Sequence, residues 1–115
     1  MRTETRKSTR FGIQWPVKIQ TTEGPVEAKL KNLGSDGAYI YCGQTVKPHD
    51  FVAMRIFPPN RSPLGITAEV MWVDKLSSPG MGVRFRLMSE KDRQFLHTAI
   101  AKQYQRKSGK ESSQR

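Results

Sequence analysis

Cysteine is almost absent from this 115-residue chain: Cys42 stands alone, so no internal disulfide can form. Its neighbours Tyr41 and Gly43 supply no cation to lower a thiol pKa, so Cys42 reads as a small strand hydrophobe and not as a reactive group. Long apolar runs are missing too. With a mean hydropathy of -0.65 and nothing near the roughly 18 apolar residues of a spanning helix, membrane insertion is not expected. The first residues, MRTETRKSTRFGIQW, are basic but have no apolar stretch behind them, which is not the pattern of a secretory signal. The cytoplasm is the expected compartment.

The chemistry of catalysis is equally thin. Two histidines, His49 and His97, sit in a loop sequence and on a polar helix face, and no HxxxH or CxxC pair offers metal spacing. The glycine pairs Gly34/Gly37 and Gly80/Gly82 lack the spacing of a phosphate-cradling loop. Glu69 and Asp74 are close in sequence, but strand alternation is expected to turn them to solvent. No enzyme activity is expected, and no cofactor or metal.

What the chain does have is positive charge, +10 in all. Residues 1–20 carry +4 and residues 101–115 another +4, leaving +2 for the 80 residues between. Such a field draws anions, whether a phosphate ligand, a nucleic acid or an acidic protein.

The middle of the chain has an apolar period of two, the mark of half-buried strands. Trp15, Val17 and Ile19 alternate with polar residues; Val26, Ala28 and Leu30 do so after a Glu23-Gly24-Pro25 turn. Further strands are expected over 38–42, 51–57 and 66–73, with a short sixth over 82–85. Turn residues separate them, including Asn32 to Gly37, Pro58-Pro59-Asn60 and Ser77-Ser78-Pro79-Gly80. This spacing predicts a small antiparallel barrel or sandwich. The period then changes. Ser89-Glu90-Lys91-Asp92 resembles a capping box with aspartate in place of glutamate, and Phe95, Leu96, Ala99, Ile100 and Tyr104 form one helical stripe over about 90–105. The helix is expected to close an open barrel end. The expected division is a flexible basic arm over 1–10, a barrel with its helix over 11–105, and a disordered basic tail over 106–115.

Two short segments stand out. Arg6-Lys7-Ser8-Thr9-Arg10 places two arginines four apart ahead of the first strand. A guanidinium can take a phosphate bidentately, donate to guanine O6 and N7, or stack on a base. Asn32-Leu33-Gly34-Ser35-Asp36-Gly37 joins the second and third strands. Its amide side chain both donates and accepts, its glycines admit close backbone approach, and its N–H groups could form an anion-binding concavity.

Together these segments resemble the PilZ domain, whose signature is RxxxR followed some twenty to thirty residues later by [D/N]xSxxG. Arg6 and Arg10 fit the first motif, and Asn32 and Gly37 fit the ends of the second. FGIQWPVKI, EVMWV, GMGVRF and SEKDRQFLHTAI extend the similarity over about residues 4–104. The resemblance implies a mainly β fold, a six-stranded antiparallel barrel with a C-terminal α-helix. It also implies a function: binding the bacterial second messenger cyclic di-GMP and passing the signal to an unidentified downstream protein. On that pattern Arg6 and Arg10 contact phosphate and guanine, Asn32 and Gly34 meet a guanine or its sugar-phosphate, and Gly37 shapes the turn. Gly34 departs from the pattern, since it stands where the family has serine. Losing a hydroxyl bonded to a charged ligand costs about 1.5–3 kcal/mol, roughly ten- to more than a hundredfold in affinity, and Ser35 next door is the candidate substitute. Gly34 therefore favours a second reading, a protein-interaction adaptor on the same fold without the nucleotide. A third, a nucleic-acid binder, rests on the charge and on Tyr39 and Tyr41 sharing a strand face; it ranks last, because those tyrosines read as barrel residues.

Overall fold

The computed structural model describes residues 10–21, 23–43, 46–75 and 79–113, with side chains of the helix described through residue 106. Among these the chain forms six strands and one helix: β1 (Pro16–Thr21), β2 (Gly24–Leu33), β3 (Gly37–Tyr41), β4 (Phe51–Ile56), β5 (Leu64–Asp74), β6 (Gly80–Met88) and α1 (Glu90–Ser113). All pairings are antiparallel, and the order β1-β2-β3-β6-β5-β4 closes on itself through β1 and β4. Closure leaves no unpaired sheet edge.

The period of two decides which side faces in. Val17 and Ile19, Leu30, Ala38 and Ile40, Met54 and Ile56, Ile66, Ala68 and Val70, and Met81 and Val83 fill the interior, all buried. α1 closes one end with Leu96 and Ile100, which join the same core cluster as Ile13 of the entering chain. Burying a side chain such as Leu96 stabilises by about 1.5–3 kcal/mol over leaving it exposed. Trp15 and Arg61 flank Phe95, with ring centroids 6.1 Å apart for Trp15 and the guanidinium 4.4 Å from the ring for Arg61.

The helix start differs in one detail from a capping box. Ser89 Oγ accepts the N–H of Asp92 at 3.1 Å, as expected. The Asp92 carboxylate, however, accepts from Gly65 N–H at 3.1 Å and Arg61 at 3.3 Å. It ties the helix to β5 and the loop before it.

Three other expectations change. β2 runs on through Asn32 and Leu33, which read as turn residues, because Asn32 pairs with Tyr39 and Leu33 with Ala38 after a bulge at residue 31. β6 covers Gly80–Met88, well beyond the expected 82–85, because β5 offers it a partner along its whole length. Finally, α1 continues to Ser113, through most of the stretch expected to be a disordered tail. Residues 106–113 contain no proline, and Arg106, Lys107, Lys110 and Glu111 favour a helix, so the chain continues past 105 although Ser108 and Gly109 are weaker helix formers.

Candidate ligand site on the outer face of the barrel

Residue 11 decides where the entering chain lies. Phe11 N–H donates to Leu33 O at 2.9 Å and Leu33 N–H to Phe11 O at 2.8 Å, an isolated antiparallel bridge at the end of β2. Arg10 is thereby carried to the turn that follows Leu33. Its guanidinium rests on Gly37: a methyl built there would stand 2.6 Å from Arg10 Nη2 and 2.5 Å from Val83 O. Glycine at 37 is therefore a requirement of close approach. Any side chain would meet a backbone carbonyl that cannot move away and would displace the guanidinium.

The turn is itself tied down. Gly34 N–H donates to Gly37 O at 2.9 Å, and Phe85 N–H donates to Asp36 O at 2.9 Å, anchoring the turn to β6. Asn32 Oδ1 accepts the N–H of Tyr39 at 3.1 Å. Beside the bulge a side-chain oxygen takes the place of a ladder carbonyl. The Asn32 oxygen and the Gly34 amide, which the sequence offered to a ligand, are thus engaged within the protein. Asn32 Nδ2 and the half-buried Ser35 are what these positions still present. Arg6 lies outside the described residues.

The same outer face continues along β3. Tyr39 and Tyr41 point outward, as their alternation with the buried Ala38 and Ile40 requires. Tyr39 and Trp72 both lie opposite Gly82 and stack over it with centroids 5.0 Å apart. A Cβ at Gly82 would run into the Trp72 indole, and one at Gly80 would come 2.6 Å from the Tyr39 hydroxyl. The two glycines form a bed for the rings. Tyr41 packs edge-on to Tyr39 at 5.6 Å, and Lys31 Nζ sits 5.3 Å over the Tyr39 ring. Burial, with the charge of Asp74 and the neighbouring Tyr41 adding to it, pushes the Tyr39 hydroxyl above its ordinary range, so it stays a neutral donor. Trp72 remains 47 % exposed, and Arg84 pairs directly with Gly37 across β6.

Trp72, Lys31 and Arg84 were not singled out from sequence. Trp72 faces out because a register shift between Val70 and Trp72 turns it, together with Met71, away from the core. The available signal was Gly80-x-Gly82: two same-face glycines in a strand mark a place where another group approaches closely. Beyond Arg84, Glu69 does not stand free in solvent. It takes Arg86 at 2.6 and 2.8 Å and His49 at 3.1 Å. Those two hydrogen bonds, His49 first and Arg86 second, hold its carboxyl below the usual range.

The fold and site define a class of protein: a small closed barrel whose entering chain lays an arginine across a glycine turn on the outer wall. The chain belongs to the PilZ domain family, whose pattern matches residues 4–102. Among solved structures it is similar to the Bacillus subtilis inhibitor of motility MotI/DgrA (17% identity, TM-score 0.77, covering 93% of this chain and 54% of that one). It is also similar to Escherichia coli YcgR in complex with c-di-GMP (13% identity, TM-score 0.77, 96% and 51%). The isolated PilZ domain of YcgR with c-di-GMP matches at 11% identity and TM-score 0.72, over 94% of this chain and 98% of that one. The chain thus spans about half the length of the first two proteins. No curated protein matches it in sequence. Among the described residues no helix is long and apolar enough to cross a membrane.

Proposed function

We propose that this domain is a cytoplasmic receptor for cyclic di-GMP that passes the signal to a partner protein and is not an enzyme. The observation that supports it best is the contact between Arg10 and Gly37, two motif positions far apart in sequence that share one spot on the barrel wall. Around that spot lie Lys31, Arg84, Asn32 and Ser35, and the stacked Tyr39–Trp72 pair borders it. A ligand with two phosphates and two guanines matches this combination. Arg10, with Arg6, would take phosphate or the guanine O6/N7 edge, Asn32 Nδ2 would donate, and the open face of Trp72 would receive a base. Gly34 and Gly37 would shape the turn beneath. The phosphates would neutralise the two arginines, giving the partner a surface of changed charge.

The test is titration calorimetry with cyclic di-GMP at physiological salt, with GMP as the control. Saturable binding is expected, and Arg10→Ala should weaken it by about ten- to a hundredfold, the loss of one charge-assisted hydrogen-bonding group. Unchanged affinity in Arg10→Ala would overturn the site assignment. No binding by the wild-type chain would leave the adaptor reading, which Gly34 in the serine position favours.

A further inference from the structure

A second surface lies across the outer face of β1, β4, β5 and the end of β6, away from Arg10 and Gly37. It is a trough of about 700 Å³, floored by the short side chains of Ala53 and Thr67 and by Gly65. Leu87, directly opposite Thr67, forms one wall and is 69 % exposed; Phe51, on the same face of β4, is 61 % exposed. Leucine and phenylalanine this open, beside a floor of small side chains, mark a contact surface more than a solvated one. Lys18 and Arg55 stand at the other side as direct cross-strand neighbours. Like charges placed opposite each other cost stability. Glu27 faces Lys18 from β2, yet neither cation forms an ion pair with a described carboxylate. Asp92 at the trough's end is already engaged by Arg61 and Gly65 N–H.

We infer that this trough docks an acidic, amphipathic helix of a partner protein. The barrel is closed, so a partner cannot add a strand to an edge; a broad trough flanked by exposed Leu87 and Phe51 suits the apolar face of a helix. Four adjacent strands span about 14 Å, enough for a helix about 10–12 Å across. Its apolar stripe would meet Leu87, Phe51 and Ala53, and its carboxylates would meet Lys18 and Arg55. A second copy of this chain does not supply such a helix, because α1 carries six basic residues against three acidic ones. The surface is independent of the nucleotide reading, and either can fail alone.

The probe is a capped Glu/Ala/Leu helix of about sixteen residues with leucines at i, i+3, i+4 and i+7, and a twin with lysine for every glutamate. Backbone amide shifts of the full 15N-labelled chain are followed as each is added. The acidic peptide should bind at least tenfold tighter than its twin and move amides of β1, β4 and β5. Leu87→Ser, and separately Lys18→Glu with Arg55→Glu, should each weaken it at least fivefold. Both variants change exposed side chains, so thermal midpoints at the wild-type value serve as the fold control, with Phe51→Ser as the alternative should either fail it. Equal binding of the twin, shifts centred on Tyr39 and Trp72 or on α1, or indifference to Leu87→Ser would each overturn the inference. So would concentration-dependent shifts of the trough in the peptide-free chain, which would make the occupant a second copy.

Discussion

One barrel wall covers itself and the opposite wall does not. On the β3–β6 side the outward positions are glycines with something laid upon them: Arg10 on Gly37, Trp72 and Tyr39 over Gly82 and Gly80. On the β1–β4–β5 side the floor also consists of small outward residues, Ala53, Gly65 and Thr67, yet a Cβ added at Gly65 meets nothing within 4 Å. Small residues thus do opposite work on the two walls. In the first they admit side chains of the same molecule, which fixes an arginine and an indole in place before any ligand arrives. In the second they leave a trough whose large neighbours, Leu87 and Phe51, stand open. Preorganisation lowers the ordering cost of binding a small ligand; an open trough with exposed apolar and cationic neighbours suits a larger partner that brings its own cover.

Matched glycine substitutions give the sharpest contrast. Gly82→Ala should destabilise the domain by about 1–3 kcal/mol, the cost of overpacking, because its methyl would collide with the Trp72 indole. Thermal melting would register this as a drop of roughly 4–8 °C per kcal/mol, with a change in tryptophan fluorescence. A Gly82→Ala domain as stable as wild type would mean the ring is not held there. Next in size, Gly34→Ser restores the family's hydroxyl and should raise cyclic di-GMP affinity by about tenfold or more by calorimetry; no gain would show that Ser35 or the backbone already fills that role. Gly65→Ala, on the open wall, should be neutral or stabilise by about 0.4–1 kcal/mol, since it restricts only the unfolded chain. A marked loss of stability there would erase the difference between the walls.

The smallest effect concerns Glu69, between the two walls. Its folded carboxyl lies below the ordinary range because His49 and Arg86 bond the ionised form. Its contribution is therefore complete above the ordinary carboxylate range and fades as pH falls through the lowered value. Glu69→Gln should flatten the acid limb of a stability-versus-pH curve while leaving its shape above pH ~6 unchanged. An unaltered acid limb would show that the ion pairs, exposed as His49 is, contribute nothing measurable.

Much of this was legible without coordinates. Alternation in Trp15–Ile19, Val26–Leu30 and Ala38–Cys42 set which residues face inward, because side chains of a strand alternate whatever the strand pairs with. The 3.6-residue stripe of α1, with Ser89 ahead of it, set the helix and its buried face. The two motifs named Arg10, Asn32 and Gly37. Sequence could not say that Asn32's oxygen and Gly34's amide are engaged inside the protein, since both hydrogen bonds depend on a bulge and a turn whose partners are set by register. Nor could it turn Trp72 outward, because a one-residue shift in pairing reverses which face a side chain occupies.

The division follows from range. Local periodicity, caps and turn residues act between near neighbours, and they indicated six strands, most of their inward faces, and the start and buried stripe of the helix. Tertiary structure alone decided that Arg10 meets Gly37, that Tyr39 and Trp72 close over Gly82, and that Ala53, Thr67 and Leu87 line up as a trough. Each joins strands through the closing of one barrel, where register, set by the packing of the whole core, determines which side chains become neighbours.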